Sequence, residues 1–264
     1  MTSVIDRRFG RQAFGLDPAN YHASRPPYPE IVWSTLRERG LLREGIDILE
    51  IGAGTGLATE HLLDAKPRRV VAVEPDGRLA AFLAERLPSA DVLDLPFEEA
   101  VLPEAGFDLV VSATAFHWLD AVPALKRIHL LLRPSGAVAL WWNNFGDAGR
   151  GDAFHEATKH LFVGHQTSPS GGGTDVPYGL NVAARLRDLR AGGFAPDEPV
   201  VVPSTLTLDP AHVRRLYATY SNITVLPVDE RERVLDGLAD VAEREFGGVV
   251  TRNMTTSIYT ASRT

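Results

Sequence analysis

Between residues 46 and 142, short apolar runs alternate with helix-like stretches, and that alternation leaves the chain very few folds to choose from. The runs are IDILEI at 46–51, RVVAVE at 69–74, ADVLDL at 90–95, FDLVVSA at 107–113 and AVALWW at 137–142. Their near-continuous, β-branched character is that of parallel strands buried on both faces. Between them, 57–65, 77–87 and 121–132 carry apolar residues at helical spacing, and Pro134 and Gly136 stop the last of these. Repeated strand–helix–strand units with right-handed crossovers imply an α/β fold around a doubly wound, mostly parallel sheet.

The pattern extends on both sides of this block. YPEIVWSTLRERGLL at 28–42 reads as a helix with Pro29 in its first turn. After Trp142 the regularity breaks. The stretch 143–180 holds a helical segment at 151–165 and the Gly- and Ser-rich TSPSGGGTD at 167–175, and reads as an insert that acts as a movable helical lid. A helix at 181–194, a strand at 198–208, helices at 209–220 and 228–246, and a closing edge strand at 249–263 complete a seven-stranded sheet. The expected organisation is one domain over 1–264: an N-terminal helical cap at 1–45, a ligand-binding core at 46–142, the substrate-side insert at 143–180, and the completion of the sheet at 181–264.

Composition narrows the function. With 27 basic and 34 acidic residues the formal charge is −7, and no basic, aromatic-interleaved stripe offers itself to a phosphate backbone, so nucleic acid is not an expected partner. The absence of cysteine rules out disulfides and thiolate metal sites. No apolar run reaches the roughly 18 residues a membrane span needs. A cytoplasmic protein, monomeric or weakly dimeric, is expected. His155, His160 and His165 recur every fifth residue, which does not stack them on one helical face, so no metal site is expected.

The chemistry concentrates where the first strand meets its helix. Gly52, Gly54 and Gly56 form a Gly-x-Gly-x-Gly turn in ILEIGAGTGLATEHLL, residues 48–63. Such a turn lets a ligand approach bare backbone, with helix N–H groups aimed at it. The dinucleotide fingerprint places its third glycine one residue later, where this chain has Leu57. Glu74 ends the second strand about 20 residues on, the position from which a carboxylate accepts two ribose hydroxyls. The alternative is that Glu74 caps the next helix.

Four stretches together, ILEIGAGTGLATEHLL, VVAVEPDGRLAAFL, FDLVVSATAFHWLD and the upstream YHASRPPYP, resemble the class I S-adenosylmethionine-dependent methyltransferases. Within them the chain is most similar to the small-molecule type 11 group that includes trans-aconitate-like enzymes. The resemblance covers most of 20–142 and returns in LRDLRAGGF and SIYTASR. It implies a Rossmann-like methyltransferase fold. It also implies S-adenosyl-L-methionine as cofactor, with S-adenosyl-L-homocysteine as product. Gly52, Ala53, Gly54 and Gly56 would cradle the methionine portion, and Glu50 would orient the loop or meet the ammonium through water. Glu74 would hold the ribose. Pro75, Asp76 and Leu79 would flank the adenosine, and Ala113, Thr114 and Ala115 would offer a carbonyl to the ammonium. Phe97 and Glu98, or Asp94 in another register, would face the adenine. Tyr21 and Arg25 would close the site, Arg25 gripping a carboxylate through paired hydrogen bonds; the alternative is a surface ion pair.

In-line methyl transfer requires alignment and exclusion of water more than a catalytic group. His117, after the fourth strand, is the one candidate base, or else a structural histidine, and Trp118 would shape the pocket. Tyr28, Asn143, Asn144, Tyr217 and Tyr220, with Ser221, are the expected substrate side. The reading is a small-molecule methyltransferase acting on oxygen. Nitrogen or carbon acceptors, a nicotinamide- or nucleotide-sugar-linked enzyme, and a non-catalytic cofactor-binding protein are the alternatives.

Overall fold

The computed structural model describes residues 4–11, 13–171 and 176–264. Among them eight strands form one sheet: β1 Asp47–Ile51, β2 Arg69–Glu74, β3 Asp91–Asp94, β4 Phe107–Ala113, β5 Leu132–Asn144, β6 Phe194–Pro196, β7 Val200–Leu208 and β8 Val250–Arg263. The order is β3-β2-β1-β4-β5-β8-β6, with β7 also paired to β8. β6 meets the last residues of β8 and β7 meets Val250–Ile258, so the two lie end to end in one position. The sheet is therefore seven positions wide. β1 to β5 pair in parallel, and β8 runs antiparallel to both neighbours.

Two expectations are corrected here. The segment 249–263 is interior, not an edge: it pairs with β5 on one side and with β6 and β7 on the other. The stretch 181–194 does not stay helical to its end, because Phe194 begins β6.

The helices are α1 Arg7–Gly10, α2 Pro18–Ser24, α3 Glu30–Glu38, α4 Thr59–Asp64, α5 Gly77–Arg86, α6 Ala121–Leu131, α7 Ala153–Thr158, α8 Val182–Ala191, α9 Pro210–Tyr217, α10 Ser221–Thr224 and α11 Val228–Phe246. Strand alternation sends Leu49, Ile51, Val71, Val73 and Val110 to one face, against Leu125, Ile128 and Leu189 of α6 and α8. Ile48, Val70, Leu109 and Val111 go to the other face, against Val32, Trp33 and Leu36 of α3 and Leu62 of α4. Removing each such aliphatic side chain from water contributes about 1.5–3 kcal/mol. α3 shows how the sequence sets these boundaries. Pro29 stands extended before its first turn, and Gly40, at φ +68, ends it. The N–H groups of Gly40 and Leu41 return to the carbonyls of Arg37 and Leu36, the paired bonds of a Schellman cap.

A third cluster sits apart from the sheet's two faces. Phe154 of α7, Val213 and Tyr217 of α9, and Val234, Leu235 and Leu238 of α11 pack together with Val250. The helix of the 143–180 insert thus packs into a C-terminal helical layer. Gly171 closes a short 3-10 turn, while Gly172 and Gly173 of the expected mobile run lie outside the described residues.

Candidate active site

The C-terminal ends of β1, β2, β4 and β5 open onto one cavity of about 230 Å³. Open α/β sheets bind ligands at that edge. Its first wall is the glycine turn. Gly52 and Gly54 hold φ of +72 and +58, a region costly for other residues. The N–H groups of Gly52 and Ala53 anchor to the Val73 carbonyl at 2.8 and 3.2 Å. A Cβ on Gly52 would stand 2.4 Å from that of Ala115, so the turn and the end of β4 touch only because this residue has no side chain. Gly56 has another job. Its Cβ would meet Leu83 Cδ1 at 2.5 Å, and it does not line the cavity. It lets the loop pack on α5, the packing role that the dinucleotide pattern gives to its third glycine. Leu57 in the next position therefore argues less strongly against a dinucleotide than the spacing implies.

Glu74 faces this turn. It is 4% exposed, and its Oε2 accepts from Gly54 N–H at 2.8 Å while Oε1 accepts from Asp76 N–H at 2.9 Å. Each oxygen keeps a second lone pair, so the carboxylate can take a vicinal diol without giving up its backbone partners. Burial pushes its pKa up to about 7 against the pull of those two N–H groups. Glu50 lies behind the loop rather than in the wall. Its Oε2 accepts from the Thr59 hydroxyl at 2.6 Å, and burial, with Glu74 adding repulsion, lifts it to about 8. Of the loop residues expected to touch the cofactor, Gly52 and Gly54 line the cavity, whereas Glu50, Ala53 and Gly56 support it.

The apolar end of the cavity is lined by Pro75, Leu79, Phe97 and Trp118, as expected, and by Phe14, which the sequence did not single out. Phe14 meets Trp118 edge-on at 5.6 Å and Tyr21 at 5.9 Å. Two expectations fail here. Asp76 turns away to cap α5 and to accept from Gly15 N–H at 2.9 Å. Burial opposes its charge, but Arg78 and these backbone donors outweigh it and hold Asp76 below the usual carboxylate range. Glu98 points outward to Arg11 at 3.0 Å, because its 3-10 turn puts Phe97 inward. Asp94 does not line the cavity either.

Tyr21 and Arg25 both reach the cavity wall. The Arg25 guanidinium stacks on Tyr21 and on Tyr220, 4.9 Å from each ring centre, and donates to the Thr219 carbonyl at 2.6 Å. It has no acidic partner among the described residues, and its Nε is buried without a hydrogen bond. The alternative of a surface ion pair is thereby set aside.

On the far side, Ala113, Thr114 and Ala115 line the cavity as expected. Thr114 sits at φ +53, a strained position for a β-branched residue. Its N–H donates to the Trp141 carbonyl at 2.7 Å, and its hydroxyl oxygen accepts from Tyr28 at 3.1 Å. Tyr28 is therefore a support under Thr114, wedged against Trp33 and Trp141, and not a substrate residue. Asn143 spends its amide N–H groups on the carbonyls of Pro26 and Pro27, tying the YHASRPPYP segment down. Asn144 donates to the Trp142 and Thr255 carbonyls and to the Ser257 hydroxyl. Both asparagines line the cavity with their donors already committed. Tyr217 does not line it; its hydroxyl accepts from Arg252 inside the helical layer. Tyr220 and Ser221 do line it, together with Ser168, Ser170 and Pro177 of the insert.

His117 lines the cavity at 3% exposure. Its Nδ1 accepts from the Trp142 indole at 3.2 Å. Burial, then the positive charges of Arg7, Arg25 and Arg185, push its pKa down to about 3. A base needs the opposite environment, and the expectation that His117 abstracts a proton is corrected on that ground.

Cradle, diol-binding carboxylate and apolar slot together fit a nucleoside carrying an amino-acid tail. Residues 49–140 match the family model described as a methyltransferase domain. The chain carries an S-adenosylmethionine-dependent methyltransferase domain. A fission yeast (Schizosaccharomyces pombe) protein described as uncharacterized and methyltransferase-like is 28% identical over 233 residues, 88% of this chain and 86% of its own. A solved structure from Anaeromyxobacter dehalogenans, provisionally described as a type II methyltransferase, superposes with a TM-score of 0.62. It is 21% identical and covers 90% of this chain and 97% of its own. A phosphoethanolamine N-methyltransferase from Haemonchus contortus, solved with phosphomonomethylethanolamine and S-adenosylhomocysteine, superposes at 0.51 with 16% identity, over 89% of this chain and 52% of its own. At these identities the two structures speak for the fold. The cofactor of such a domain is S-adenosylmethionine.

Proposed function

We propose that this methyltransferase esterifies a carboxylate on a small molecule. The observation that carries the reading is the lack, among the described residues lining the cavity, of a group that takes a proton from the acceptor. Glu74 stands beside the glycine turn, where its remaining lone pairs are taken by the ribose hydroxyls of the bound cofactor in this reading. His117 is a buried neutral imidazole. Tyr220 has its hydroxyl sealed from solvent, and burial raises its pKa. The rest of the polar lining is the guanidinium groups of Arg11 and Arg25, the hydroxyls of Tyr21, Thr114, Ser168, Ser170 and Ser221, and the amides of Asn143, Asn144 and Asn222, none of them a carboxylate or an imidazole. An ammonium, alcohol or phenol needs deprotonation before it attacks, whereas a carboxylate arrives ionised.

When bound, S-adenosylmethionine supplies an electrophilic methyl: the C–O bond of the ester forms as the C–S bond breaks, the electron pair stays on sulfur, and no proton is released. The protein's own part is positional. Glu74 accepts the ribose hydroxyls, the bare backbone of Gly52 and Gly54 admits the amino-acid portion, and Arg25 pairs with that portion's carboxylate. Phe97, Leu79 and Trp118 exclude water from the adenosine side. The small acceptor, a monomeric or weakly dimeric state and a cytoplasmic setting belong to the same proposal.

The test is transfer of labelled methyl from S-adenosylmethionine to a panel of carboxylic acids, primary amines and phenols. Label recovered as an alkali-labile ester, at a rate flat from pH 6.5 to 8.5 with cofactor saturating, is the expected result. Label on nitrogen or phenolic oxygen, rising with pH, contradicts it.

A further inference from the structure

The aromatic wall behind the cavity fixes the state of one residue that the reaction above leaves without a task. We infer that His117 is a neutral hydrogen-bond donor that selects and orients the acceptor, its Nε2–H holding the carboxylate oxygen that is not methylated. The inference rests on the carboxylate reading just given.

The argument begins with Trp142. An indole N–H can only donate. It lies 3.2 Å from His117 Nδ1, so that nitrogen presents a lone pair and the single proton of a neutral imidazole sits on Nε2. The two residues are brought together by adjacent strands: His117 lies in the 3-10 turn Phe116–Trp118 that follows β4, and Trp142 lies near the end of β5. The ring is boxed in by Trp118 at 5.3 Å and Tyr178 at 6.0 Å, which leaves it little freedom to turn over. Nε2 has no hydrogen-bond partner among the described residues, although His117 is buried and forms part of the cavity wall. A fixed donor therefore stands in the cavity wall. The charges that bear on it, from Arg7, Arg25 and Arg185, are all positive and resist protonation of the ring.

Such a donor discriminates by chemistry. It accepts a carboxylate or carbonyl oxygen and disfavours an ammonium, which has no lone pair to offer it. Holding the second oxygen turns the first toward the methyl without removing charge from the nucleophile's own lone pair. The requirement for a neutral, correctly handed imidazole also gives Trp142 a positioning role at one remove from the substrate.

The experiment uses the full-length protein with 15N-labelled histidine, saturated with S-adenosylhomocysteine and titrated with acetate, benzoate, decanoate or citrate. Long-range proton–nitrogen correlation reads the tautomer directly. The expected result is an Nε2–H pattern for His117, constant from pH 5 to 8 and lost in Trp142→Phe, with the Nε2 signal shifting as at least one acid is added. In parallel, His117→Phe raises KM for the acid acceptor roughly ten- to a hundredfold. The Kd for S-adenosylhomocysteine stays unchanged, and His117→Gln, whose amide reaches the Nε2 position, recovers most of the KM. A proton on Nδ1, titration near neutrality, or no shift with any of the acids overturns the inference and leaves the carboxylate reading standing. An Nε2–H histidine in an enzyme that methylates amines overturns the carboxylate reading itself.

Discussion

The N–H of Gly54 donates to Glu74 Oε2 at 2.8 Å, so the glycine turn and the Glu74 carboxylate are one hydrogen-bonded unit. That unit is proton-linked. Glu74 has a folded value of about 7 against an ordinary 4.5, and buried Glu50 behind it about 8. A raised carboxyl contributes stability that is fully present below pH 4.5 and is lost as pH rises through the folded value. The cofactor-free protein is thus expected to lose stability between about pH 4.5 and 8. Ribose hydroxyls donate to the ionised form, so affinity for S-adenosylhomocysteine moves the other way. It rises up to about tenfold per pH unit until about pH 7 and then levels. Calorimetry in two buffers of different ionisation heat should register proton release at pH 6 and almost none at pH 8.5. Glu74→Gln should flatten the affinity profile.

Two glycines four residues apart should fail differently. Gly52→Ala sets a Cβ 2.4 Å from Ala115 at φ +72, which shifts the turn and the end of β4 that line the cavity. It should abolish measurable cofactor binding. Gly56→Ala drives a methyl into Leu83 behind the wall. It should cost about 1–3 kcal/mol of stability in urea denaturation, while the folded fraction keeps its affinity to within a few-fold.

Arg25 is held by two rings and a carbonyl with no counter-charge among the described residues. Arg25→Lys keeps the charge and loses the planar stack. It should weaken S-adenosylhomocysteine binding by roughly ten- to a hundredfold and leave the melting temperature within a few degrees of wild type. A large drop in melting temperature with unchanged affinity would make Arg25 a structural residue.

In the helical layer, Arg252 pairs with Asp152 at 2.7 Å, both nearly fully buried. Arg252→Met strands a buried carboxylate and should cost about 3–5 kcal/mol. Asp152→Asn in the same chain removes the stranded charge and should recover part of the loss, as a double-mutant cycle in urea would show.

The glycine-turn wall of the cavity was readable because its constraints are local. A strand, a turn of glycines and an acid at the next strand end follow each other within about 25 residues, and Gly52, Gly54, Glu74, Phe97 and Trp118 all reach the cavity. The misreadings came from side-chain direction. Glu98 and Asp76 stand in the right stretches and point the wrong way, one to Arg11 and one to Gly15. Asn143 and Tyr28 look like site residues but serve as struts for the loop at 26–28 and for Thr114. The substrate half joins residues far apart in sequence, Arg25 with Tyr220 and His117 with Ser168, and no periodicity encodes those meetings. The edge position of the sheet was misassigned because the run at 249–263 gives no sign of which strands flank it. The three-residue β6 is too short to register as a pattern.

The central claim is that Glu74 and the glycine turn hold an adenosyl methyl donor. Its most direct test is isothermal titration of the full-length protein, wild type and Glu74→Ala, with S-adenosylhomocysteine and with a nicotinamide dinucleotide. One-site saturable binding of S-adenosylhomocysteine to the wild type, at least tenfold weaker in the folded Glu74→Ala variant, with no heat from the dinucleotide, is the expected result. Equal affinity in both proteins, or binding of the dinucleotide alone, would contradict it.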